Sequence, residues 1–205
     1  MDLVQFFQSG GVFMYVITVV MAVGLSISLE RFVYLSRVQM RTDKLWKSIA
    51  PMLHANDFAR GYEAVKAIRT PLATVLQYGF ARHSAKASRQ MIDSAMEEGI
   101  MEVTPELEAR THYLATLANI ATLLGLLGTI IGLIQAFTAV ASADPAEKAD
   151  LLSASISVAM NTTAFGLTAA IPLILIHSYL ATRTTRLVDN IEMASVKCLN
   201  LLCEE

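Results

Sequence analysis

Polar side chains recur inside two long apolar stretches of the sequence, where they could line an ion path or join helices. Thr122 and Thr129 lie seven residues apart in the first stretch. The second stretch carries Ser157 and Asn161 at helical spacing and the adjacent pair Thr162-Thr163. In a membrane, such hydroxyls and amides either hydrogen-bond within or between helices or offer neutral oxygens to an ion. From the residues alone, both interpretations stay open.

Other kinds of site chemistry find little support in the sequence. None of its 4 histidines pairs with a cysteine or carboxylate at metal-ligand spacing, so no metal site is expected. Walker, HExxH and GxSxG motifs are missing, which argues against an enzyme, and no cofactor is predicted. Cys198 and Cys203 are expected to be a reduced pair. A net charge of −2 argues against nucleic acid as a partner.

The distribution of charge predicts an integral membrane protein. The chain is 54% hydrophobic and 17% charged, and residues 3–29, 113–143 and 151–182 contain no Asp, Glu, Lys or Arg. Each run exceeds the roughly 20 apolar residues that cross a bilayer. We therefore predict an all-α membrane protein with three long transmembrane helices and a helical cytoplasmic insert. The predicted division is an external N-terminus with helix 1 (1–35), the insert (36–112), helix 2 (113–141), a periplasmic loop (142–150), helix 3 (151–182) and a cytoplasmic tail (183–205).

The flanking basic residues predict the orientation. Five follow the first span, namely Arg31, Arg37, Arg41, Lys44 and Lys47, and Arg183 and Arg186 follow the third. Lys and Arg concentrate on the cytoplasmic side. The N-terminus is thus expected outside and the C-terminus in the cytoplasm.

The insert is expected to be helical. Thr42-Asp43 and Asn56-Asp57 are predicted N-terminal caps, and Pro71 is predicted to open a helix. Gly99 and Pro105 are expected to punctuate the following segment. No strong breaker separates Arg110 from span two, so one helix is expected to run from the insert into the membrane.

Small residues predict close packing between spans two and three. In span two they recur at steps of three and four: Ala118, Ala121, Gly125, Gly128, Gly132 and Ala136. Gly166 belongs to a small face in span three, and such faces let helices approach closely. At about 1.5 Å per residue, Thr129 lies roughly 24 Å from the start of span two and Thr163 roughly 28 Å from the cytoplasmic end of span three. The two hydroxyls can therefore share a level.

Three segments carry a resemblance to a known family. Residues 117–132 (LANIATLLGLLGTIIG) resemble the second-span signature of the MotA/TolQ/ExbB proton channel family. Residues 162–172 (TTAFGLTAAIP) resemble its third-span signature, and Pro71-Leu72-Ala73 resembles its cytoplasmic proline segment. Members of the MotA type have four spans, so the chain is closer to the three-span ExbB/TolQ branch.

The resemblance implies a rotary motor in the bacterial inner membrane. Five copies would surround two copies of a single-span partner resembling ExbD, TolR or MotB, and this energizer would power envelope transport or related processes. The family's pore-lining threonines fall on Thr129 and Thr163, and its third-span proline falls on Pro172. Membrane lipid is the further expected partner.

One departure from the family pattern concerns the driving ion. Many ExbB and TolQ proteins have a glutamate five residues before the third-span threonine, and here that position is Val158. The chain therefore has no carboxylate of its own in the spans, and the partner would have to supply one. Neutral oxygens from Ser157, Asn161 and Thr162-Thr163 also suit a partly dehydrated Na⁺. The translocated ion is thus expected to be H⁺ or Na⁺.

Two other classes of membrane protein compete with the motor. A non-conducting assembly scaffold would use the small residues for packing alone. A passive channel or substrate transporter fits less well, because the chain lacks an inverted repeat and carries a large insert on one side.

Overall fold

The computed structural model describes residues 11–203, apart from the side chain of Ser142, and this part of the chain is helical without strands. Its helices are α1 (Val12–His54), α2 (Phe58–Lys66), α3 (Pro71–Ser84), α4 (Arg89–Glu108), α5 (Thr111–Ser142) and α6 (Lys148–Leu202). The predicted all-α class is confirmed. Residues 3–10 of the first predicted span lie outside the described residues.

Three stretches of the described chain are long and apolar enough to cross a membrane. They lie in α1, in Arg89–Ala141 and in α6, which confirms the predicted number of long apolar helices. Large apolar side chains on these stretches are exposed, including Val19, Ile130 and Leu175. An exposed apolar surface of this kind suits lipid or a neighbouring helix.

The chain divides into two compact units. Among the described residues, the first comprises 11–30 and 110–179, and the second comprises 31–109 and 180–203. The predicted boundaries at 35, 112 and 182 stay a prediction.

In the first unit, α5 packs against α6 through small residues. A Cβ added at Gly166 would lie 2.8 Å from the carbonyl oxygen of Ala121 and 3.0 Å from the Cα of Gly125. Farther along, a Cβ at Gly132 would lie 2.9 Å from the Cβ of Ala159. The residue numbers of the contacting positions rise along α5 while they fall along α6, so these two helices are antiparallel.

The first part of α1 packs parallel to α6 in the same unit. A Cβ at Gly24 would lie 2.7 Å from a side-chain carbon of Leu173, and a Cβ at Gly11 would lie 4.0 Å from Val158. The apolar core of this unit includes residues from all three helices: Ile17, Ala118, Ala121, Ala169, Ala170 and Leu173. Sequence patterns did not identify the role of α1 in this packing.

The second unit has a core of larger side chains. Its fully buried residues include Leu35, Ile49, Leu76, Phe80 and Met96. Burial of such side chains drives the packing of soluble helices, whose amphipathic faces must leave water. The predicted helical character of the insert is confirmed.

Two of the predicted helix starts in this unit are confirmed. The side chain of Asp57 accepts a hydrogen bond from the backbone N–H of Arg60 at 3.3 Å and caps α2. Thr70 accepts one from the N–H of Ala73 at 3.2 Å, directly before Pro71 opens α3. Each side-chain oxygen satisfies a backbone donor that has no partner inside its helix.

Other predicted helix boundaries are wrong. Thr42 and Asp43 lie inside α1, and Gly99 and Pro105 lie inside α4. Gly99 is buried where a Cβ would lie 3.0 Å from the Cα of Val75, so it permits close packing of α4 on α3. Tertiary packing therefore overrides the local preference for a boundary.

The predicted continuous helix into span two is also wrong. The chain breaks at Ala109-Arg110, and Arg110 has a left-handed φ of 63°. A guanidinium nitrogen of Arg110 lies 3.5 Å from a carboxylate oxygen of Glu30. The buried guanidinium of Arg31 donates to the carbonyl of Leu107, in the last turn of α4. A cation at this end offsets the negative end of the helix dipole.

A first prediction concerns Gly166. We expect Gly166→Ala to lower the free energy of unfolding by about 1–3 kcal/mol, because the new methyl meets backbone atoms that cannot rotate away. Reversible denaturation in detergent, followed by circular dichroism, measures the change. Ala164→Val is the control, since Ala164 lies two residues away in α6 and is exposed. Equal stability of Gly166→Ala and the unchanged protein would contradict the packing.

A second prediction concerns the two free cysteines. Burial raises the pKa of Cys198 to about 12, whereas Cys203 is half-buried. The thiolate is the reactive form, so we expect N-ethylmaleimide to modify Cys203 first and Cys198 only after unfolding. Mass spectrometry of Cys198→Ser and Cys203→Ser, labelled folded and unfolded, separates the two sites. Rapid labelling of folded Cys203→Ser would be inconsistent with the buried position of Cys198.

Candidate functional site

The α5–α6 contact brings the two predicted pore-lining threonines together. The hydroxyls of Thr129 and Thr163 form a hydrogen bond across the two helices. The Thr163 hydroxyl also lies 2.8 Å from the carbonyl oxygen of Gly125. The Thr129 hydroxyl lies 3.2 Å from that carbonyl and 3.4 Å from the carbonyl of Ala159. Both threonine residues are half-buried.

The number of hydroxyl protons limits which hydrogen bonds Thr129 and Thr163 can donate at one time. Each hydroxyl has one proton, and a carbonyl oxygen can only accept. The short contact to Gly125 assigns the Thr163 proton to that carbonyl. The Thr129 proton is then available for the oxygen of Thr163. The same proton of Thr129 can instead go to the carbonyl of Gly125 or Ala159, so the two hydroxyls and the two carbonyls form one hydrogen-bonded cluster.

The glycine in this cluster explains why the carbonyl is within reach. A Cβ at Gly125 would lie 3.3 Å from the Cα of Thr163 and 3.3 Å from the Cα of Gly166. A larger residue would therefore force α6 away from α5. The missing side chain leaves the Gly125 carbonyl open to the Thr163 hydroxyl as well as to its own helix.

Two other predicted ion-path residues, Thr122 and Thr162, form hydrogen bonds within their own helices. Thr122 is half-buried and donates to the carbonyl of Ala118 in its own helix at 3.1 Å. Thr162 is 2% exposed, donates to the carbonyl of Val158 at 3.0 Å and packs its methyl group toward Gly128. It lies in the helix contact.

The two remaining predicted ion-path residues, Ser157 and Asn161, lie on a different face of α6 from Thr163. Ser157 is exposed and Asn161 is half-buried. The sequence did not distinguish them from Thr163, because neighbours on a helix differ by about 100° in direction and the relevant face is set by the partner helix.

The predicted packing residues occupy different surroundings. Ala118 and Ala121 are fully buried, and Gly125, Gly128 and Gly166 face the opposite helix. Pro172 lies inside α6 and is exposed. A proline in a helix removes one backbone donor.

Sequence inspection missed the backbone part of the site. The carbonyls of Gly125 and Ala159 supply two of its four oxygens. Every residue has a carbonyl, so no residue type marks those that face a site. The small side chains at these two positions were the available signal, since they leave the backbone accessible.

The site combines neutral oxygens in a stretch without charged side chains. Its four oxygens come from two hydroxyls and two carbonyls. Neutral oxygens of this kind can coordinate a cation that has lost part of its water or extend a hydrogen-bonded path. Within residues 11–203, no group of three His, Cys, Asp or Glu side chains could hold a metal ion.

Comparison with known proteins relates this arrangement to a family. The model of the MotA/TolQ/ExbB proton channel family matches residues 67–193, more than half of the chain. The matched region includes α3, α4, α5 and the threonine pair.

Individual relatives agree with the family match. An ExbB homolog of Methanothermobacter thermautotrophicus is 27% identical over 191 residues, which cover 92% of this chain and 66% of that protein. The Tol-Pal system protein TolQ of Haemophilus influenzae is 35% identical over 89 residues, 43% of this chain and 39% of that protein. Biopolymer transport protein exbB1 of Vibrio cholerae is 37% identical over 73 residues, 36% of this chain and 32% of that protein. The chain thus matches less than two thirds of the length of each of these relatives.

These similarities and the three apolar helices describe a multi-pass membrane protein. The matched family is one of channels rather than a class of enzymes. The recurrence of ExbB and TolQ among the relatives places the chain within a branch of that family. The chain therefore belongs to the MotA/TolQ/ExbB proton channel family, on its ExbB/TolQ branch.

Proposed function

We propose that this protein is the channel subunit of an ion-driven motor in the bacterial inner membrane. It would couple the flow of H⁺ or Na⁺ to mechanical work through a single-span partner resembling ExbD, TolR or MotB. The observation that carries the proposal is the Thr129–Thr163 hydroxyl pair at the α5–α6 contact of a proton channel family member. The process powered would be envelope transport or a related one, which the relatives named for biopolymer transport and for the Tol-Pal system support.

The chemistry of the site explains the need for a partner. Hydroxyls and carbonyls can pass or coordinate an ion, but they do not hold a proton as a carboxylate does. Residues 113–143 and 151–182 contain no Asp or Glu, and position 158 is valine. A carboxylate on the transmembrane helix of the partner would approach the threonine pair and complete the path.

The surface of α6 supports assembly around such a partner. Ser157, Ala164 and Thr168 are exposed at helical spacing within an otherwise apolar stretch. Small and weakly polar side chains suit close contact with another transmembrane helix. We propose a homopentamer around two partner copies, with the N-terminus in the periplasm and the C-terminus in the cytoplasm. The basic residues that follow the first and third spans support this orientation.

One observation favours the competing scaffold function. The hydroxyls of Thr129 and Thr163 satisfy each other and the Gly125 carbonyl within a single chain. Such a closed set of hydrogen bonds would stabilise a helix pair without any ion. The two functions therefore differ in what happens when the hydroxyls are removed.

We predict that Thr129→Val and Thr163→Val each reduce partner-dependent ion flux by about tenfold or more. Valine keeps the shape of threonine and removes its hydroxyl, so transition-state stabilisation of about 1.4 kcal/mol or more would be lost. Flux is measured in liposomes that contain the protein together with the single-span partner from the same cell.

The matched control is Thr138→Val. The Thr138 hydroxyl is exposed and donates to the carbonyl of Ile134 in its own helix at 2.8 Å. Native mass spectrometry of each variant establishes that the assembly is intact. Unchanged flux in both Thr129→Val and Thr163→Val, with the assembly intact, would favour the scaffold.

The same liposomes separate the two candidate ions. A proton-driven motor should stop when a protonophore collapses the pH gradient and should be indifferent to a sodium gradient. A sodium-driven motor should show the reverse response. Flux that follows neither gradient would contradict an ion-driven motor.

A further inference from the structure

Two adjoining cavities lie along α1 and the connection between α2 and α3. Their volumes are about 680 Å³ and about 620 Å³. Both are lined by Arg41 from α1 and by Ile68, Arg69 and Thr70 from the connection. We call the two cavities together the basic groove. All of its lining residues belong to the second compact unit.

The basic groove carries an excess of positive charge. Its first cavity contains Arg41, Lys44 and Arg69 and no acidic residue. The second contains Arg41, Arg69 and Lys66 together with one acid, Glu106. A concave surface lined by charges of one sign concentrates counter-ions.

Most of these cations are not neutralised by neighbouring carboxylates. Lys66 pairs with Glu63 at 3.8 Å through exposed side chains, an interaction that is weak in water. In the described part of the chain, Arg41, Lys44 and Arg69 form no ion pair. In the second cavity, Glu106 offsets one of the three positive charges and leaves an excess of two. The groove can therefore accept negative charge from a ligand.

The excess of basic residues on the cytoplasmic side of a membrane span explains only part of the positive charge in the basic groove. Arg41 and Lys44 follow the first span and are part of the basic flank that predicts its orientation. Lys66 and Arg69 come from a later part of the chain, brought beside α1 by the fold. The N-terminus of α3, capped by Thr70, adds the positive end of a 14-residue helix.

The number and type of cations indicate the ligand. Arginine binds phosphate through two parallel N–H donors, and lysine adds a mobile point charge. Lys44 lines one cavity, Lys66 lines the other, and both arginines are shared. The cations are thus divided between two adjoining cavities, which suits a ligand with more than one anionic group. We propose that the basic groove binds a small molecule carrying two or more phosphate groups.

The position of the groove favours a ligand from the aqueous phase. Arg41 follows Leu29, the last residue of the first charge-free run, by 12 residues. At about 1.5 Å per residue it lies roughly 18 Å farther along α1. The polar layer of one leaflet is only about 5–8 Å thick. A soluble polyphosphate reaches this position more readily than a lipid headgroup.

Titration calorimetry of the full chain in neutral detergent tests the proposal, with inorganic pyrophosphate as the probe. We expect saturable binding that weakens as salt rises, because the contacts are charged and exposed. Arg41→Gln and Arg69→Gln should each weaken binding by about tenfold or more. Lys44→Gln, which changes an exposed side chain in one cavity only, should weaken it by a smaller factor. Inorganic phosphate should bind less tightly than pyrophosphate.

Arg37→Gln is the matched control. Arg37 is an exposed cation one helical turn before Arg41, and it lines neither cavity. Its substitution should change pyrophosphate binding by less than about twofold. Circular dichroism and native mass establish that each variant keeps its fold and assembly.

Three results would overturn the proposal. The first is a lack of pyrophosphate binding by the folded, unchanged protein. The second is equal weakening by Arg37→Gln and Arg41→Gln, which would indicate general surface charge. The third is binding to phosphatidylglycerol vesicles, but not to phosphatidylcholine vesicles or pyrophosphate, which would identify a lipid headgroup as the ligand. None of these readouts involves ion flux, so failure here is distinguishable from failure of the proposed motor function.

Discussion

The close approach of two helix backbones at Gly125 and Gly166 sets the geometry of the charge-free part of the protein. Side chains at either position would separate α5 from α6, because the nearest atoms belong to the opposite backbone. The approach fixes the antiparallel register and brings the hydroxyl of Thr163 to the carbonyl of Gly125. In an apolar environment helices gain little from hydrophobic burial against one another, so close packing and interhelical hydrogen bonds carry much of their association. The threonine pair thus depends on glycines that have no polar chemistry of their own.

A different balance holds in the second unit, where charge is abundant. Leucine, isoleucine, phenylalanine and methionine fill its interior, while most charged side chains remain at the surface. Among the described residues of this unit, Arg31 is the buried exception, 3% exposed and donating to the last turn of α4. Its guanidinium meets carbonyls that the end of a helix leaves without backbone donors. The sequence neighbour of this arginine, Glu30, belongs to the first unit and pairs there with Arg110.

The distribution of ionisable groups links the two proposals. In the apolar stretches, their absence leaves neutral oxygens as the ion ligands of the proposed motor, whose path would need a carboxylate from the partner. In the second unit, two arginines and two lysines line the basic groove, and only one glutamate lies among them. The first part is proposed to pass a small cation and the second to hold a polyanion. Each follows from the same electrostatic rule, that a charge requires water or a partner.

The sequence alone determined the helical class, the three apolar stretches and the family, because these depend on composition, charge-free length and local motifs. It also located the starts of α2 and α3, where Asp57 and Thr70 cap backbone donors a few residues away. Only the tertiary structure decided that Thr163 meets Thr129 while its neighbour Thr162 is buried against Gly128, since the partner helix selects the face. It likewise kept Thr42 and Gly99 inside helices and broke the chain at Arg110, where packing and distant contacts outweigh local preference. Local signals act over a few residues, whereas the site is made by residues more than thirty positions apart.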